Sequence, residues 1–158
     1  MKNLIFLIVC IILPSTVCLA QSGPKASVPA YDAELAMKLG GDKNGMKNYI
    51  LAILKTGPND SKVIGRERTE MFNGHMANIQ RLADAGQIAV AGPFMKNDAG
   101  FRGIFILNAA TVGEARKIVE TDPVVRSGIM LVDLYPWYGS ASLMATPEIH
   151  KKITAPSN

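Results

Sequence analysis

Two successive patterns in residues 47–85 decide the fold, and the stretch reads KNYILAILKTGPNDSKVIGRERTEMFNGHMANIQRLADA. Its first nine residues are strongly apolar and end at the turn formers of Thr56–Asn59, which favours a short, mostly buried β-strand. From Ser61 to Ala85 apolar side chains recur every three or four residues, which predicts a long helix that ends at Gly86. The stretch therefore predicts a strand followed by a long amphipathic helix.

Further short elements follow this pair. Thr111 and Glu114 form a capping box for a second helix that ends around Thr121, and Asp122-Pro123 suits the start of a short helical turn closed by Gly128. The predicted strands are Lys47–Lys55, Ile88–Gly92, Phe101–Leu107 and Ile129–Tyr135, the last stopped by Pro136. With right-handed crossovers, the order βαββαβ gives an α+β, ferredoxin-like fold: a four-stranded antiparallel sheet with two helices on one face.

The other face of this sheet is bare in the predicted fold. Its apolar side chains need a cover, and in a chain this short we expect the same face of a second copy, which makes a homodimer. The segment Tyr138–Asn158 has no strong period and is predicted either to wrap the partner or to lie loose.

The first twenty residues have the pattern of a signal peptide. Lys2 precedes the apolar run Leu4–Leu13, and small residues before position 21 predict cleavage after Ala20. A retained anchor needs about 20 apolar residues, more than this run supplies. A lipoprotein would need a small residue before Cys10 or Cys18, where valine stands. We expect export to the periplasm or the external medium, without a membrane attachment after cleavage.

The mature chain then divides into three parts. Residues 21–46 are predicted to be a linker and a short accessory helix, residues 47–138 the folded domain, and residues 139–158 a C-terminal tail. Both cysteines lie in the predicted leader, which excludes disulfide and thiol chemistry in the mature chain. In the full sequence 17 Lys and Arg exceed 13 Asp and Glu only mildly and without a basic stripe, so nucleic-acid binding is not expected.

His75 and Asp122 are the candidate catalytic residues. His75 lies on the apolar stripe of the first helix, where a titratable group is unexpected; a satisfied core histidine is the alternative. Asp122 suits a helix cap, a role compatible with function. Because both helices run in the same direction, the topology lets the two side chains meet, and an Asp that binds one imidazole nitrogen makes the other a better base.

The chain also resembles a known family. The residues concerned are His75–Leu82, Gly86, Ala91-Gly92-Pro93, Glu114-Ala115, Asp122-Pro123, Gly128 and Pro136-Trp137, which are similar to the YCII-related (YciI-like) domain of the dimeric α+β barrel superfamily. The resemblance covers roughly Met46 to Tyr138. It implies a ferredoxin-like protomer whose sheets pack face to face in a dimer, and a cleft with a His and Asp pair that corresponds to His75 and Asp122.

Four more residues are predicted to bind substrate. Gly92 and Pro93 belong to the family motif after the second strand, and Tyr135 and Trp137 are candidates for lining a pocket, with anchoring of the core or an interface as the alternative. His150 lies in a charged segment and is most simply solvated. Two separated histidines without a cysteine do not supply the ligands of a zinc site. We expect neither a metal nor an organic cofactor.

Three functions remain open on the sequence. The first is a cofactor-independent enzyme that acts on a small organic acid, a lactone or a halogenated ring compound by His/Asp acid–base chemistry. The second is a small-ligand-binding dimer outside the cytoplasm that does not turn its ligand over. The third is a structural dimer whose cleft is filled by its own segment Tyr138–Met144.

Overall fold

A computed structural model describes residues 30–156 of the 158-residue chain. The predicted signal peptide, residues 1–20, and the predicted linker up to residue 29 lie outside the described residues. Across residues 30–156, none of the helices combines the length and the apolar character that crossing a membrane requires.

A four-stranded antiparallel sheet organises the described residues, with the strand order β2-β3-β1-β4. The strands are β1 Met46–Thr56, β2 Ile88–Pro93, β3 Phe101–Leu107 and β4 Met130–Ser140. The helices are α1 Ala33–Leu39, α2 Gly65–Asp84, α3 Val112–Val119, α4 Pro123–Arg126 and α5 Thr146–Ile153, and a 3-10 turn spans Ala141–Ala145. This arrangement confirms the predicted α+β, ferredoxin-like fold.

The main core lies between the sheet and helices α2 and α3. Leu54, Phe105 and Val132 contribute to it from three strands, and Leu82 and Ile118 meet them from the two helices. All five are buried, and burial of an aliphatic or aromatic side chain stabilises the folded state by about 1.5–3 kcal/mol. The periodic apolar positions read from the sequence therefore face one another as predicted.

The fourth strand is longer than predicted, because Pro136 does not stop it. Pro136 pairs in register with Ile50 of β1, and pairing continues to Ser140 opposite Met46. β4 is an edge strand, with β1 as its neighbour on one side. A proline is tolerated there because its missing N–H can face away from the ladder.

The first long helix begins four residues later than predicted, at Gly65. Arg68 accounts for the delay, because its Nη1 donates to the carbonyl oxygens of Asp60 and Val63, at 2.7 and 3.3 Å. Those hydrogen bonds hold the preceding loop in turns, and Gly65 takes the left-handed φ of 58° that glycine adopts without strain.

The C-terminal segment, predicted to wrap the partner or to lie loose, forms a 3-10 turn and helix α5 against the chain's own sheet. Leu143 and Met144 pack on a small cluster formed by Tyr49, Ala89 and Ile106 on the sheet face that was expected to be bare. Helix α5 follows, and its Lys151 lies 3.1 Å from the carboxylate of Asp84 at the end of α2. The segment owes its order to packing on the sheet, which a search for periodicity does not detect.

Asp60 holds the loop between β1 and α2 to two arginines. Its Oδ1 accepts from Nη2 of Arg68 at 2.8 Å and from Nη1 of Arg102 at 3.2 Å. The hydrogen bond from Arg68, with a smaller contribution from Arg102, lowers the pKa of the Asp60 carboxyl below its usual value. Ionised Asp60 therefore contributes to stability above its unfolded-state pKa, and this contribution is lost as the pH falls through the lower folded-state pKa.

We accordingly expect Asp60→Asn to reduce the free energy of unfolding by about 1–2 kcal/mol at neutral pH. The difference from wild type should shrink in acid, because the wild-type carboxyl is then protonated too. Urea unfolding at neutral pH and in acid measures both values, and Asp98→Asn in the exposed loop before β3 is the matched control. A difference that stays constant with pH would contradict this role of Asp60.

Candidate functional site

Helix α2 places His75 on its inner face, where the side chain is buried. Phe72 and Phe105 flank the imidazole, with ring centroids 6.1 and 6.2 Å from it. A buried imidazole among aromatic rings needs a polar partner for its nitrogens. That partner comes from the start of α4.

Asp122 is this partner, and it is almost completely buried, at 1 % exposure. Its Oδ2 lies 2.6 Å from Nδ1 of His75, and its Oδ1 accepts from the backbone N–H of Val124 at 3.1 Å, capping α4. Asp122 therefore caps α4 and contacts the imidazole of His75 at the same time. The structure brings together the two candidate catalytic residues, as the topology argument predicted.

The pairing fixes the chemistry of the ring. A carboxylate oxygen can only accept, so Nδ1 of His75 donates to it, and in the neutral ring Nε2 is then the nitrogen with a free lone pair. Within residues 30–156, Nε2 has no hydrogen-bond partner. An imidazole held in this tautomer is suited to accept a proton through Nε2.

Gly74 permits the close approach of the two helices that carry the pair. A Cβ at this position would lie 3.0 Å from Cγ of Pro123, the residue after Asp122. A larger side chain would press α4 away from α2 and lengthen the contact between His75 and Asp122. Sequence reasoning missed this glycine because its constraint comes from a residue distant in the chain.

Asn78 was also not predicted as a site residue, although it lies in the family motif His75–Leu82. It is buried one turn after His75, and its Oδ1 accepts from Arg81 at 2.8 Å and from the hydroxyl of Thr121 at 3.1 Å. These bonds tie α2 to the residue before Asp122. Nδ2 of Asn78 is buried without a partner among the described residues.

A cavity of about 640 Å³ opens beside the pair, within the roughly 300–1,000 Å³ typical of small-ligand sites. His75 lines it, as do the predicted substrate-binding residues Gly92 and Pro93. Most other lining side chains are apolar, and the polar ones include Gln80, Arg102 and His150. His150 is exposed, as expected, but it also lies on the wall of the cavity.

Tyr135 and Trp137 lie elsewhere. They alternate on β4 with Val132 and Leu134 of the main core, so they project from the opposite face of the sheet. The Trp137 ring lies beside that of Tyr49, tilted by 34° and with centroids 5.8 Å apart. Neither residue lines the cavity that contains His75, and their role in substrate binding stays a prediction.

Among the described residues, no group of three His, Cys, Asp or Glu side chains is placed to hold a metal ion.

Comparison with known proteins identifies the domain. Residues 49–138 match the family model of the YCII-related domain. No curated protein matches the chain. One similar solved structure is the 5-chloro-2-hydroxyhydroquinone dehydrochlorinase (TftG) from Burkholderia phenoliruptrix AC1100, in complex with 2,5-dihydroxybenzoquinone. It is 24% identical with a TM-score of 0.41, and the match covers 56% of this chain and 92% of that chain. The chain belongs to the family of proteins with a YCII-related domain, which here spans residues 49–138.

Proposed function

We propose that this protein is an enzyme that moves a proton on a small organic acid, lactone or halogenated ring compound. His75 acts as the general base and acid, and Asp122 orients it. The observation that carries the proposal is the 2.6 Å contact between Nδ1 of His75 and Asp122, buried beside a cavity that His75 itself lines. Proton transfer by an imidazole needs neither a metal ion nor an organic cofactor.

Isomerisation and elimination at this site share their first step. Nε2 of His75 accepts a proton from a carbon next to an electron-withdrawing group, and the electron pair of the broken C–H bond stays on the substrate. In an isomerisation, the imidazolium returns the proton to another carbon. In an elimination, the electron pair forms a double bond, a halide leaves, and the imidazolium loses its proton to water. A hydrolysis begins differently: Nε2 takes a proton from water while the water oxygen attacks the carbonyl carbon of a lactone, the ring C–O bond breaks, and the imidazolium gives the proton to the leaving oxygen.

A second candidate is a binding protein that holds a small ligand without turning it over. The mostly apolar wall of the cavity favours it, because apolar surface binds ring compounds without any need for a base. In this case His75 would serve as a buried hydrogen-bonding group, and its loss would change affinity only.

An assay of turnover separates the two candidates. We expect the wild-type protein to convert at least one member of a panel of ring acids, lactones and chlorinated phenols. His75→Gln should then lower kcat/KM by about a hundredfold to ten-thousandfold, the usual contribution of a general base. Asn73→Gln, on the exposed side of α2, is the matched control and should leave the rate unchanged. Binding without turnover by the wild-type protein would favour the second candidate.

We further propose that two copies pair through the sheet face opposite α2 and α3, outside the cytoplasm. Leu131 and Tyr135 are each 49 % exposed on that face, beside the part that Leu143 and Met144 cover. The signal-peptide pattern of residues 1–20 supports export. Sedimentation of the mature chain tests the pairing, and a monomer at micromolar concentration would contradict it.

A further inference from the structure

Arg102 is the one lining residue of the cavity with a permanent charge. It lies on β3, and the other titratable lining residues in the described part of the chain are His75 and His150. No Asp or Glu of residues 30–156 lines the cavity. The cavity therefore presents a cation to its contents without a facing carboxylate.

Asp60 does not fully neutralise the charge of Arg102, because the Asp60 carboxylate also pairs with Arg68. Arg68 holds the same Oδ1 of Asp60 at the shorter distance of 2.8 Å and also donates to the backbone oxygen of Asp60. Arg102 contributes the longer contact, at 3.2 Å, through Nη1. Two guanidinium groups and one carboxylate leave one positive charge in excess.

The guanidinium of Arg102 also has N–H groups that donate to no protein atom among the described residues. Arginine has five N–H groups, and among the described residues its side chain makes one hydrogen bond, the one to Asp60. The side chain is about 70 % buried, since its exposure is 30 %. A partly desolvated cation binds an anion more strongly than one in open water does.

We propose that Arg102 is the specificity-determining residue of the cavity, binding the anionic oxygen of a ring compound that bears a carboxylate or a phenolate. The ring lies against the apolar wall that includes Phe72, Ile79 and Phe105. Asp60, itself held by Arg68, positions the guanidinium at the start of β3. This inference rests on the proposed function for the reaction, but its binding step can be measured separately.

Isothermal titration with 2-naphthoate and its neutral analogue 2-naphthamide tests it. The wild-type protein should bind the anion at least about tenfold more tightly, the value of one charge-assisted hydrogen bond. Arg102→Gln should abolish this preference by weakening binding of 2-naphthoate alone, and Arg102→Lys should retain part of it. Arg116→Gln removes the same charge from the exposed part of α3 and should change nothing.

The outcomes distinguish this inference from the proposed function. Equal affinity for the two ligands in wild type, an unchanged preference in Arg102→Gln, or no binding of 2-naphthoate overturns the role of Arg102. His75→Gln should keep the preference for the anion while turnover is lost. If the protein prefers the anion but shows no turnover, the anion-binding role of Arg102 stands and the proposed enzymatic function is wrong.

Discussion

Replacing Asp122 by asparagine is expected to reverse the tautomer of His75. The Oδ1 of asparagine can still accept from the N–H of Val124, which keeps the cap of α4 and leaves the Nδ2 amide group facing the imidazole. An amide NH2 donates, so Nδ1 of His75 must become the acceptor and the proton moves to Nε2. Nε2 then has no lone pair for a substrate, and kcat/KM should fall by about a hundredfold to ten-thousandfold.

Long-range ¹H–¹⁵N correlation of the imidazole nitrogens measures this change directly. The wild-type protein should show a protonated Nδ1 and a bare Nε2 for His75, and Asp122→Asn should show the reverse. His150 is the internal reference, because it is exposed and its ring contacts Thr154 and makes no hydrogen bond to Asp122. If His75 has the same tautomer in both proteins, Asp122 does not control the ring.

The second large effect is on stability, and it follows from the burial of Asp122. His75→Leu removes the side-chain partner of a carboxylate that is 1 % exposed and leaves it with one backbone N–H. Breaking a buried ion pair or its equivalent by removing one member costs about 3–5 kcal/mol, because the remaining charge has lost its compensation. We expect His75→Leu to lower the free energy of unfolding by about 3 kcal/mol.

A double-mutant cycle separates this penalty from a packing defect. Adding Asp122→Asn to His75→Leu replaces the unpaired carboxylate by a neutral amide and should recover part of the lost stability. Urea unfolding of the four proteins gives the coupling energy, with Asn73→Leu on the exposed side of α2 as the control for leucine in this helix. Purely additive effects would contradict a direct interaction between the two side chains.

The fold was predictable because its signals are local. The capping residue Thr111 accepts from the N–H of Glu114 at 3.1 Å, and β3 has the predicted bounds, Phe101–Leu107. The errors arose where tertiary contacts override local rules. Pro136 continues a strand because β4 is at an edge, and the segment after Ser140 is ordered by packing on the sheet.

The sequence predicted the central pair of the candidate site and, through the family motif, the lining residues Gly92 and Pro93. His75 stood out as a titratable group on an apolar stripe, and the topology brought Asp122 to it. Gly74 and Arg102 gave no such signal. The need for Gly74 comes from Pro123, and the position of Arg102 comes from Asp60, so both are properties of pairs of residues that only the folded chain brings together.

The central claim is that His75 presents an unprotonated Nε2 to the cavity because Asp122 holds the ring. Acylation by diethyl pyrocarbonate, located by peptide mass spectrometry, tests it most directly, since the reagent reacts with an imidazole nitrogen that has a free lone pair. We predict that His75 is modified in the wild-type protein and much more slowly in Asp122→Asn, while His150 reacts equally in both. An inert His75 in the wild-type protein, or equal modification of His75 in the two proteins, would contradict the account.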